Sequence, residues 1–159
     1  MTDEVEAAEQ HEEIAPSAFS LTAFESMDRQ EEGAWFRPRH PDTGRELPWR
    51  ILVAGVDSKH YADAMNAVTA LRAKKQSITS GADLMRGFDY AEVKDSEVLI
   101  TCYIALDWEP LVTADGTPIP CTKKTKPVHF KEHRWLADQV ITFCRNRANF
   151  LSGIDAGAV

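Results

Sequence analysis

Cysteine is scarce and unpaired in this chain. Cys102, Cys121 and Cys144 are an odd number without close spacing, which excludes a disulfide framework and fits reduced thiols in a reducing compartment. No apolar run approaches the length of a membrane span, so no membrane association is expected. The N-terminus, MTDEVEAAEQHEE, lacks the basic-then-apolar order of a secretory signal. The turn Gly55-Val56-Asp57-Ser58 has one glycine and no following Gly-Lys-Ser/Thr, which leaves a strand-to-helix connector rather than a phosphate cradle. No serine stands in a nucleophile-elbow context, and no internal repeat is present. What remains is 159 residues, enough for one domain with a core and too few for two ordinary ones.

Positive charge is also missing from one end. Up to Glu32 there are ten acidic residues and one basic, Arg29; from Gly33 onward, fifteen acidic residues face seventeen basic ones. The net charge of −7 therefore sits in a leader, and the remainder is close to neutral. A domain so balanced is not built around a phosphate backbone, so nucleic acid is not an expected partner. Residues 1–32 read as an acidic, largely disordered arm, 33–153 as a single α+β domain, and 154–159 as a flexible tail. Within the arm, Phe19, Ala23, Phe24 and Met27 could form one side of a short helix from Ala18 to Arg29.

The domain reads as an N-terminal β-hairpin or small sheet followed by a mostly helical part with a C-terminal amphipathic helix. Pro41-Asp42-Thr43-Gly44 is a turn between two strand-like runs, and Pro38 and Pro48 keep the ladder short. Asp57 or Ser58 caps a helix whose stripe is Tyr61, Ala64, Met65, Val68 and Leu71, with Lys74 and Lys75 in its last turn. A further helix restarts near Ala82. Residues 95–106 suit either a buried strand or a buried helix, because Val98 to Ile104 is apolar and rich in β-branched residues. Asp115-Gly116, Pro118 and Pro120 mark a loop. One final helix is expected from Pro127 or Val128 to about Asn149, with Leu136, Ala137, Val140, Ile141, Phe143, Cys144 and Ala148 on its apolar face and Gly153 as the stop. Trp49, Trp108 and Trp135 read as core residues, with an interface anchor as the alternative for Trp135.

One short motif carries chemistry. His129-Phe130-Lys131-Glu132-His133 has the His-x-x-Glu-His order of an inverted zincin, which on a helix puts two imidazoles and a carboxylate on one face. A catalytic site of that kind needs a third protein ligand and an open position for water. Downstream carboxylates are only Asp138, five residues past His133, and Asp155, in the tail. Cys144 is about 16 Å further along a helix at about 1.5 Å per residue. A polar helix start is therefore the favoured reading, and no catalytic, metal or cofactor residue is assigned. Cys102 and Cys144 lie in apolar runs and read as core residues, while Cys121 lies in a loop. The basic run Lys123 to Arg134 has few aromatics and suits contact with something acidic better than nucleic acid.

The order of features resembles the tail assembly chaperones of phages with long, non-contractile tails. HPDTGRELPWRILVAGVDSKHYADAMNAV is similar to that family's front half, with its H-P-x-T-G turn, strand, G-x-D-S cap and amphipathic helix. DWEPLVTADGTPIPCTK resembles its middle signature, and WLADQVITFCRNRANFLSG its closing helix, with W-x-x-x-Q and R-x-N-F. The resemblance spans about residues 35 to 153 and departs from the pattern between Lys74 and Asp95 and between Cys121 and Trp135, where HFKEH lies. It favours helix before Trp108. It implies a non-catalytic role with no cofactor: binding the tape measure protein and the major tail tube protein in the host bacterial cytoplasm, self-association being compatible, and absence from the finished virion. The alternatives are a structural tail or neck component and, behind it, a metal-dependent hydrolase using His129, Glu132 and His133.

Overall fold

The computed structural model describes residues 27–76, 90–109 and 111–151. The arm before Met27, the helix restart near Ala82 and the expected stop at Gly153 lie outside the described residues. The order is α1 (Met27–Glu32), β1 (Ala34–Phe36), β2 (Arg50–Val53), α2 (Lys59–Gln76), α3 (Tyr90–Ile104), β3 (Ala105–Glu109), α4 (Thr125–Glu132), α5 (Arg134–Arg145) and a 3₁₀ turn, Arg147–Phe150. The described residues form an α+β arrangement with a small antiparallel sheet.

The sheet has the order β1-β2-β3. β1 and β2 form the expected hairpin, with Trp35 opposite Leu52, and an isolated bridge between Arg39 and Glu46 continues toward the turn. Gly44 supplies the positive φ of 67° that the turn needs. β2 also pairs with β3, Ile51 opposite Trp108, with a register shift between Leu52 and Val53. Ile51 and Val53 alternate inward along β2 and are fully buried.

α3 is the hub, packing on α2, α4 and α5. The ambiguous run around Val98 to Leu106 resolves as both structures in sequence: helix to Ile104, then strand. Burial within α3 is two-sided, taking in Ser96, Val98, Ile100, Thr101 and Ile104. The two buried hydroxyls are satisfied inside the helix, Ser96 Oγ donating to the Glu92 carbonyl and Thr101 Oγ1 to that of Glu97, both at 2.8 Å. Tertiary packing thus overrides the β-branched composition. Lys94 ties α3 to α5 by pairing with Asp138 at 3.0 Å, and also meets Glu97 at 2.8 Å.

Two expectations are corrected. The single final helix is two helices broken at His133, whose φ of −119° and ψ of 66° are not helical. The break turns the α5 face formed by Leu136, Ala137, Val140, Ile141 and Cys144 into the core, while Phe130 of α4 fills the same cluster from another direction. Beyond α5 the chain is extended at Asn146 and then 3₁₀, so Ala148 is exposed while Phe150 is buried. The second correction concerns α1, which belongs to the folded body rather than to the arm. Gln30 is 2% exposed, and its backbone carbonyl accepts a 2.9 Å hydrogen bond from Gly55. No helix among the described residues is long and apolar enough to cross a membrane.

Candidate functional site

The motif residues that carry the sequence resemblance turn out to hold the fold together. His40 Nδ1 accepts from the backbone N–H groups of Asp42 and Thr43, building the hairpin turn. Ser58 caps α2, its Oγ accepting from the Tyr61 N–H at 3.2 Å. Asp57 does something else: Arg147 Nε and Nη2 reach its two oxygens at 2.6 and 2.7 Å, and Gln30 Nε2 adds a third bond at 2.9 Å. These donors, Arg147 first, hold the Asp57 carboxyl below its ordinary range. Gln139 bonds both backbone groups of Arg39 at 2.8 Å, clamping α5 to the hairpin. Trp108, 6% exposed, donates from Nε1 to the Ile119 carbonyl at 2.7 Å and so anchors the loop after β3. Trp49 and Trp135 are partly buried against the core.

The three cysteines are free thiols. Cys144 is fully buried, and Cys102 and Cys121 are partly buried, including the one placed in a loop. Desolvation pushes the Cys102 and Cys121 thiols up to about 11 and Cys144 up to about 12. At neutral pH all three are thiols, which are poor nucleophiles.

HFKEH behaves partly as its spacing predicts. His133 N–H donates to the His129 carbonyl at 2.9 Å, closing the last turn of α4 just before the break. One ligand atom from each of His129, Glu132 and His133 lies within 4.8 Å of the others. The third ligand sought downstream does not join them: Asp138 is paired with Lys94, and Cys144 is in the core. If Glu132 is itself the third ligand, it is not free to act as a base.

Among the described residues, a groove of about 770 Å³ with room for a partner lies between α2, α3 and α4. Leu71, Leu99, Cys102, Tyr103 and Leu106 give it an apolar lining; Leu71 and Tyr103 are each 40% exposed. Lys75, Lys123, Lys126 and Lys131 stand around it, with His60 at one side and Asp95 as the carboxylate of the lining. Lys126 Nζ also donates to the Cys102 carbonyl at 3.3 Å, which fixes one lysine over the floor. Such a site suits an amphipathic segment with apolar residues on one side and carboxylates flanking them. Sequence patterning marked the stripe on α2 but not that its outer members, Met65 and Leu71, stay exposed while Ala64 and Val68 are buried. The basic run from Lys123 was noted; its position beside an apolar floor from α3 required the tertiary structure.

Comparison with known proteins finds no matching family model, no matching curated protein and no matching solved structure.

Proposed function

We propose that this protein is a phage tail assembly chaperone that binds the tape measure protein and tail tube subunits and keeps them soluble during tail assembly. The observation that carries the reading is the lysine-ringed apolar groove between α2, α3 and α4, taken with the ordered sequence resemblance across residues 35 to 153. The client that the resemblance implies is a long protein whose apolar surfaces must be kept soluble. A groove with an apolar floor and cationic edges can cover one such surface, while the acidic leader adds solubility through net charge. The contact must be reversible, because the tube has to displace the chaperone. An open groove with lysines at its edges suits weak exchange better than a sealed pocket would. In this reading the chaperone acts in the host cytoplasm and leaves before the virion is complete.

The experiment is co-expression with the tape measure protein of the same phage. A tape measure protein that is insoluble alone and soluble in a co-purifying complex supports the proposal. No change in solubility, with no complex to either client, contradicts it. Finding the chain in purified virions would favour a structural tail or neck component instead.

A further inference from the structure

We propose that His129, Glu132 and His133 form a binding site for one divalent transition-metal ion, of the zinc class, at the joint between α4 and α5. The inference is independent of the chaperone reading. Residues at i, i+3 and i+4 share a helix face, and the last turn of α4 stays hydrogen-bonded up to His133. The result is two imidazoles and one carboxylate with donor atoms within 4.8 Å of one another. Two donors on one tetrahedral zinc ion stand about 3.3 Å apart, given bonds of about 2.0–2.1 Å. Glu132 and His133 are exposed, which leaves their side chains room to rotate toward a shared ion. Among the described residues, none of the three side chains is held in a hydrogen bond or ion pair that would oppose this.

The donor types set the ligand class. Imidazole and carboxylate suit Zn²⁺, Ni²⁺ and Cu²⁺, whereas Mg²⁺ and Ca²⁺ prefer all-oxygen sites. With Glu132 coordinating, the cluster keeps no carboxylate in reserve as a general base, so the proposed role is structural. The ion would tie the last turn of α4 to the non-helical residue that redirects the chain into α5. Both imidazoles have an aromatic neighbour: the His129 ring lies 5.9 Å from that of Trp108, and the His133 ring 6.3 Å from that of Trp135. A quenching ion bound there should therefore be visible in tryptophan fluorescence.

The full chain, stripped with a chelator and exchanged into chelator-free buffer, is titrated with Zn²⁺ by calorimetry and with Cu²⁺ by fluorescence. The expected result is saturable one-to-one binding with quenching by Cu²⁺. Outer partners of metal ligands are worth about 10–100-fold in affinity, so removing a ligand should cost about 100-fold or more. His133→Ala and His129→Gln should each show that loss, while their metal-free melting temperatures match the parent. His133 is exposed, so its variant tests the site even if His129, beside Trp108, is needed for folding. Glu132→Gln, which replaces the charged carboxylate ligand with a neutral amide, should show a loss of the same order. Three outcomes overturn the proposal: no saturable binding by the parent chain, binding unchanged in His133→Ala, or binding unchanged in Glu132→Gln.

Discussion

Gly55 is glycine because Gln30 occupies the place where a side chain would begin. A Cβ there would lie 2.2 Å from Gln30 Oε1 and 2.7 Å from its Cγ. Gly55→Ala must displace a buried amide that accepts from Asp57 N–H at 2.8 Å and donates to its carboxylate. The expected loss is about 1–3 kcal/mol of stability, measured by urea unfolding. Asp57 itself gives the pH dependence a sign. Its folded pKa is depressed, so its contribution is present above the ordinary carboxylate range and is lost as pH falls through that range toward the folded value. Asp57→Asn should flatten the acid limb of a stability–pH curve, modestly because Arg147 is largely exposed and salt-screened. The thiols make a third residue-scale prediction. With Cys102, Cys121 and Cys144 all raised by burial, a disulfide reagent at pH 8 should react slowly with the native chain and rapidly with three thiols after unfolding. One fast native thiol would contradict the burial described.

At the scale of elements, the hairpin and α2 were legible because local chemistry decides them. A Pro-Asp-Thr-Gly turn and a serine cap work in much the same way whatever packs around them. Residues 95–106 were not decidable locally. Their β-branched run becomes helix because α2, α4 and α5 surround it, and becomes strand at Ala105, where β2 offers a free edge. The break at His133 left no glycine or proline signal, and only the need to direct both Phe130 and the α5 face into one core shows why it is there. Gln139 belongs to this scale too. Its two bonds to Arg39 join elements a hundred residues apart. Gln139→Ala should cost about 1–2 kcal/mol, and hydrogen exchange should show the hairpin loosening before α3 does.

For the molecule as a whole, the recognisable motifs and the proposed working surface are different sets of residues. Asp57, Gln139, Arg147 and Trp108 tie elements together, so a sequence pattern built on them reports the fold. The groove is assembled from Leu71 on α2, Leu99 and Tyr103 on α3, and Lys123 and Lys131 about the next helix, positions that no local pattern links. Charge and apolar area can therefore be altered there with little effect on stability, since Leu71 and Tyr103 are 40% exposed and both lysines are surface residues. The most direct measurement is the soluble yield of the tape measure protein co-expressed with the parent chain or with a Leu71→Asp, Lys123→Glu, Lys131→Glu variant of unchanged melting temperature. The groove account predicts a soluble complex with the parent and its loss with the variant. Equal rescue by both would place the client elsewhere, and rescue by neither would remove the chaperone reading itself.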